Sequence, residues 1–130
     1  MIYLDTSALV KLVFEEAEST ALLDWVEQRT ELPKLTSAVA AIELVRTCRR
    51  LAAAAVPAAR LLLRGLDLIP LSEEVAEAAA LCDPAELRTL DAIHLSSALA
   101  LGDGVSAFVA YDRKLGAAAR DAGLAVVSPG

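Results

Sequence analysis

Ile2-Tyr3-Leu4-Asp5-Thr6-Ser7-Ala8-Leu9-Val10 is the stretch on which the reading of this chain turns. An apolar run breaks off at an acid and two hydroxyl residues, and helical apolar spacing takes over at once. A strand buried in a parallel sheet reads this way, and it delivers one carboxylate to the sheet edge where such folds build their sites. Asp5 is therefore the residue around which the other candidates are placed.

Outward from this stretch, strand and helix signals alternate. Ser7–Val13 and Glu16–Gln28 carry helical spacing, and Leu32-Pro33 ends the second of them. Lys34–Thr36 reads as a short strand. Ser37 then caps a helix running to Ala54, with Glu43 in its second turn. Pro57 opens a further helix that closes at Gly65, so the pair forms a helical hairpin. Leu66–Leu71 reads as a strand, and Ser72 caps a helix ending near Cys82. Two helix starts compete after it. Asp83-Pro84-Ala85-Glu86 has an N-cap acid followed by proline and glutamate, whereas Thr89 offers a later cap that would put Asp91 in the first turn. Gly102-Asp103-Gly104 breaks that helix, and Val105–Tyr111 is a β-rich strand ending at Asp112. A helix over Arg113–Ala122, a stop at Gly123 and a strand over Leu124–Val127 complete the order. The pattern predicts one α/β domain over residues 1–130: a three-layer fold with a central parallel sheet of about four to five short strands flanked by helices, and a protruding helical hairpin.

Composition narrows the function classes. No apolar run reaches the roughly 18 residues of a membrane span. The opening residues lack the basic and apolar regions of an export signal, so a cytoplasmic location is expected. Cys48 and Cys82 are isolated, and His94 is the one histidine, which argues against structural zinc and for free thiols. A net charge of −6 with pI ≈ 4.7 counts against a nucleic-acid binder. Charge is unevenly spread, however: Arg46, Arg49, Arg50, Arg60 and Arg64 fall in one stretch without an acid.

Four acids stand out: Asp5, Glu43, Asp91 and Asp112. Singly, each has an ordinary explanation as a cap, a solvated helix residue, a helix-dipole partner or a turn residue. Yet Asp5 and Asp112 follow parallel strands, and Glu43 and Asp91 sit in apolar helical surroundings where a lone acid loses hydration. Two like charges about 4 Å apart repel by roughly 4 kcal/mol at an effective dielectric of about 20, so clustered carboxylates call for a cation. Oxygen donors without cysteine or histidine select hard ions, magnesium or manganese. Such a site activates water and a phosphoryl group, which makes phosphodiester hydrolysis the natural reaction. Thr6 and Ser7 are placed to orient the first carboxylate or to cap the first helix. His94 is expected to be a packed histidine with its nitrogens satisfied by hydrogen bonds, a general base being the alternative.

Met1–Lys11, Ser37–Glu43, Leu90-Asp91-Ala92-Ile93-His94-Leu95 and Ala110–Leu115 resemble, in order, the four motifs of PIN-domain ribonucleases. The opening and the Asp-Ala-x-His-Leu segment are most similar to the VapC toxins of toxin-antitoxin pairs. The resemblance implies that Asp5, Glu43, Asp91 and Asp112 are the catalytic, metal-holding acids of a magnesium-dependent endoribonuclease, with manganese as an alternative cofactor. It implies that Thr6 and Ser7 support them. It further implies a homodimer, RNA as substrate, and a VapB-type antitoxin that places an arginine against the acids in a hetero-oligomer. Ala110 departs from the family pattern, where a hydroxyl residue is common. Arg46, Arg50 and Arg113 are the candidate RNA-binding residues, with Arg46 expected nearest the chemistry. The competing reading is a non-catalytic protein whose acidic pocket holds RNA or a basic partner tail.

Overall fold

A computed structural model describes residues 1–130. Its strands are β1 (Ile2–Leu4), β2 (Lys34–Ser37), β3 (Asp67–Ile69), β4 (Ala107–Val109) and β5 (Val126–Val127). Its helices are α1 (Thr6–Val13), α2 (Ser19–Glu27), α3 (Ala38–Leu51), α4 (Val56–Arg64), α5 (Glu73–Leu81), α6 (Thr89–Leu99) and α7 (Arg113–Asp121). The strands form one parallel sheet in the order β3-β2-β1-β4-β5, so the stretch carrying Asp5 is the central strand.

The period-2 alternation of β1 divides the molecule into two cores. Ile2 and Leu4 face a cluster built with Leu9, Leu22, Leu44, Cys48 and Ala59 from α1 to α4. Tyr3 faces the other way, into Phe108, Leu95, Leu115 and Ala119 from β4, α6 and α7. All three β1 residues are at most 1% exposed, as a strand covered on both faces must be. Each such apolar side chain contributes roughly 1.5–3 kcal/mol by leaving water. The three-layer α/β architecture agrees with the sequence reading.

The hairpin is present: α3 and α4 are joined by a 3-10 turn at Ala53–Ala55. It packs on α1 and buries Cys48 and Ala59, while Leu51 and Leu61 at its outer surface remain exposed. Ser37 and Ser72 cap α3 and α5 with their side chains, as their sequence contexts imply, and Asp112, expected as a site acid or a turn residue, caps α7. Gly123, with φ +94°, ends α7 in the left-handed conformation that a glycine adopts without strain.

The helix-start signal at Asp83-Pro84 is not used. Residues 82–88 form turns, α6 begins at Thr89, and Arg88 rather than Thr89 occupies the N-cap position. The physical reason is packing. None of residues 83–88 is buried, so a local preference there gains nothing from the core, whereas Ala92–Ala98 of α6 are buried without a break. Strands are shorter than their apolar runs for the same kind of reason: pairing with a neighbour sets their length. Both cysteines are free thiols, and no helix is long and apolar enough to cross a membrane.

Candidate active site

Parallel strands end at one edge, and three of them deliver site residues there. Asp5 follows β1, α3 with Glu43 follows β2, and Asp112 follows β4 by three residues. The Asp5 amide donates to the Val109 carbonyl at 3.1 Å, which locks the ends of β1 and β4 together.

Asp5 is 3% exposed. Its Oδ1 accepts from the Ser7 hydroxyl at 2.5 Å and from the Ala8 amide at 3.2 Å, capping α1. Ser7 Oγ in turn accepts from the Tyr111 amide at 3.0 Å, tying the first acid to the backbone just before the last one. Oδ2 accepts nothing, yet the one fully enclosed side-chain polar atom without a partner is Ser97 Oγ, so Oδ2 keeps access to solvent. Burial pushes the Asp5 carboxyl above the usual range, against the opposing pull of the Ser7 hydroxyl, the His94 ring and the helix amides.

Glu43 behaves oppositely. Burial works against its charge, but hydrogen bonds from His94 and Thr6 and the electrostatic pull of the His94 ring and of Arg88 outweigh it and hold the carboxyl below its usual range. The Thr6 hydroxyl donates to Glu43 Oε1, and His94 Nε2 lies 2.9 Å from Thr6 Oγ1 and 3.4 Å from Glu43 Oε1. On its other side, His94 Nδ1 meets the Tyr3 hydroxyl at 2.8 Å. His94 is thus the packed, satisfied histidine that the sequence favoured, and it also touches the site.

Asp91 and Asp112 share an arginine. Arg88 Nε lies 3.3 Å from Asp91 Oδ2, and a terminal guanidinium nitrogen lies 3.7 Å from Asp112 Oδ2. Asp112 Oδ1 accepts from the Leu115 amide at 2.8 Å, capping α7. The expectation that Arg46 lies nearest the chemistry is therefore corrected: Arg88 does. Arg46 and Arg50 are exposed on α3 and line, with Arg49, a separate recess of about 400 Å³. Arg113 fares differently, lining a cleft of about 420 Å³ with Arg88, Lys114, Asp91 and Asp112.

The four acids share one edge but do not form one cluster. No group of three Asp, Glu, His or Cys side chains stands ready to hold a metal ion. Contacts instead link them in a line, from Glu43 through Thr6 beside Asp5, then Ser7 and the Tyr111 backbone to Asp112, Arg88 and Asp91. The expected cluster of mutually repelling carboxylates is thus replaced by acids that each have their own partners. Thr6 and His94 hold Glu43 ionised, Arg88 pairs with Asp91 and Asp112, and burial disfavours the ionised form of Asp5. Sequence reasoning missed Arg88 and Tyr3. A signal for Arg88 was its place three residues before Asp91, the spacing of an ion pair on a helix.

The PIN domain family model matches residues 2–127. Ribonuclease VapC35 of Mycobacterium tuberculosis is 45% identical over 132 residues, covering 100% of this chain and 98% of its own length. Ribonuclease VapC47 of the same species is 41% identical over 133 residues, with the same coverage. Among solved structures, Mycobacterium tuberculosis VapC20, described as a sarcin-ricin loop cleaving toxin, superposes with a TM-score of 0.77 at 18% identity, over 99% of this chain and 100% of that one. A toxin-antitoxin complex from Klebsiella pneumoniae gives 0.70 at 21% identity, over 100% of this chain and 98% of that one. At those identities the superpositions speak for the fold, and the family model with the full-length relatives speaks for descent: the chain belongs to the PIN-domain family, and within it to the VapC group.

Proposed function

We propose that the protein is the toxin of a type II toxin-antitoxin pair, an endoribonuclease that hydrolyses RNA phosphodiesters with a divalent cation held by Asp5, Glu43, Asp91 and Asp112 once it draws them together from their places along the sheet edge. One observation carries this reading. Three of the acids commit one oxygen to the protein, Asp5 Oδ1, Glu43 Oε1 and Asp112 Oδ1, and keep the other free of hydrogen bonds from helix caps and hydroxyls. Carboxylates held by one oxygen are oriented and still have a donor to offer. Oxygen donors alone suit magnesium or manganese. The ion supplies Lewis acidity toward the phosphodiester when bound.

The chain's own residues do the rest. Thr6 and Ser7 fix the rotamers of Glu43 and Asp5, and Arg113 and Lys114 sit in the Asp91–Asp112 cleft where they attract phosphate. Arg88 acts as a resident counter-ion. Its side chain is 78% exposed, so its pairing is worth at most about 1 kcal/mol and yields readily to a stronger ligand. Removing it should free Asp91 and Asp112: Arg88→Gln is expected to tighten manganese binding by up to about fivefold in calorimetric titration. Weaker binding in that variant would mean that Arg88 builds the site instead of guarding it.

The position of Arg88 also supports the partner reading, because it demonstrates that these acids accept a guanidinium, the group an antitoxin tail would present. A homodimer is favoured by an apolar groove of about 550 Å³ between α5 and α6, where Leu71 and Leu81 are exposed. The cytoplasm is where both RNA and such a partner are met. Purified protein incubated with RNA and manganese or magnesium should cleave it, chelator should stop the cleavage, and a binding protein with an acidic pocket would leave the RNA intact.

A further inference from the structure

Tyr3, His94, Thr6 and Glu43 form an unbroken hydrogen-bonded line from the core to the site edge. Its direction follows from counting protons. The Glu43 carboxylate has none to give, so the single Thr6 hydroxyl proton points at Oε1. Thr6 Oγ1 must then accept from His94, which places a proton on Nε2. In the neutral imidazole Nδ1 is left as the acceptor, and the Tyr3 hydroxyl, whose ionisation burial strongly disfavours, donates to it.

Tyr3 is itself immobilised, 0% exposed and stacked on Phe108 with centroids 5.2 Å apart and planes 4° apart. His94 is 2% exposed and crosses the Tyr3 ring edge-on at 83°. Two rigid rings therefore set the rotation of one hydroxyl. A buried histidine needs only satisfied nitrogens. This one has them in an order that ends on a single oxygen of an acid whose second oxygen is free.

We infer that His94 is a positioning residue: with Nδ1 held by Tyr3, it fixes the Thr6 hydroxyl so that Glu43 presents its second oxygen toward the other acids. The inference rests on the metal-site reading of Glu43, and its test separates the two. In nitrogen-15 spectra of the metal-free protein, at a pH where the imidazole is neutral, His94 should be the Nε2–H tautomer, and Tyr3→Phe should erode that preference. An Nδ1–H tautomer in the wild type overturns the inference whatever the protein cleaves.

Manganese affinity and kinetics supply the second measurement. Groups that orient a ligating side chain typically matter by about 10–100-fold in metal affinity or activity. His94→Ala and Thr6→Val should weaken manganese binding and lower kcat within that range, with a smaller change in KM. His94→Gln, which offers an amide N–H toward Thr6, and Thr6→Ser should recover most of the loss. Lowered thermal stability with unchanged manganese affinity and kcat would make His94 a packing residue only. A wild type with the Nε2–H tautomer that binds no manganese would overturn the metal site and, with it, the role assigned to the chain of hydrogen bonds.

Discussion

Asp5→Asn is expected to abolish RNA cleavage, by at least about a hundredfold since even outer partners of a metal ligand are worth about 10–100-fold, while raising the thermal stability of the metal-free protein. The two effects share one origin. Asn keeps an oxygen that can accept from Ser7 Oγ and the Ala8 amide, so the α1 cap survives. What disappears is a charge whose burial is unfavourable. Asp5→Ala lacks that compensation and loses the cap, at a cost of about 1 kcal/mol.

The sign of the pH dependence follows. The folded state binds the Asp5 proton more tightly than the unfolded state does, so the fold loses stability as pH rises from the ordinary aspartate range through the raised folded value. The variant should match the wild type in acid and exceed it in melting temperature at neutral pH without metal. Glu43 works in the opposite sense: its stabilisation is present at neutral pH and is lost as pH falls through its lowered folded value. A metal-free Asp5→Asn protein that melts below the wild type at neutral pH would show that Asp5 is a structural acid.

Phe108→Ala should be the most destabilising single change outside the site. Phe108 is 0% exposed in the centre of β4, stacked on Tyr3 and packed with Leu95 and Leu115. Truncation of such a ring costs about 3–5 kcal/mol, with about 0.5–1.5 kcal/mol of aromatic pairing lost as well. Against a total stability of roughly 5–15 kcal/mol, the variant should sit close to unfolding at 37 °C. Urea denaturation checks this through a shifted midpoint at unchanged slope. Leu61→Ala, at a position 66% exposed, is the control and should stay within about 0.5 kcal/mol of the wild type. A loss below about 2 kcal/mol for Phe108→Ala would mean that the α6–α7 core closes over the gap.

Much of the fold was legible because local and global signals agree. Ile2-Tyr3-Leu4 is apolar on both faces and is buried on both faces; Ser37 and Ser72 carry cap chemistry and cap helices. Asp5 and Asp112 were legible as acids ending strands, and Glu43 by its place in the second turn of α3. Arg88 was not, because its reach to Asp91 and Asp112 depends on where α6 begins, and the competing signals at Asp83 and Thr89 left that open. Only the buried run from Ala92 to Ala98 decides it. Nor did spacing reveal that Tyr3, an aromatic in a strand and so an ordinary core residue, sends its hydroxyl to His94. Where side chains point within an edge depends on rotamers set by neighbours distant in sequence.

The central place of β1 also sets a timetable for synthesis. A polypeptide leaves the ribosome amino end first, so Ile2–Leu4 emerges about a hundred residues before its β4 neighbours at residues 107–109. Asp112 follows later still, and the edge that gathers the acids cannot assemble before then. A chain broken off before Asp112 therefore lacks the acid that shares Arg88 with Asp91, however complete its first strand is.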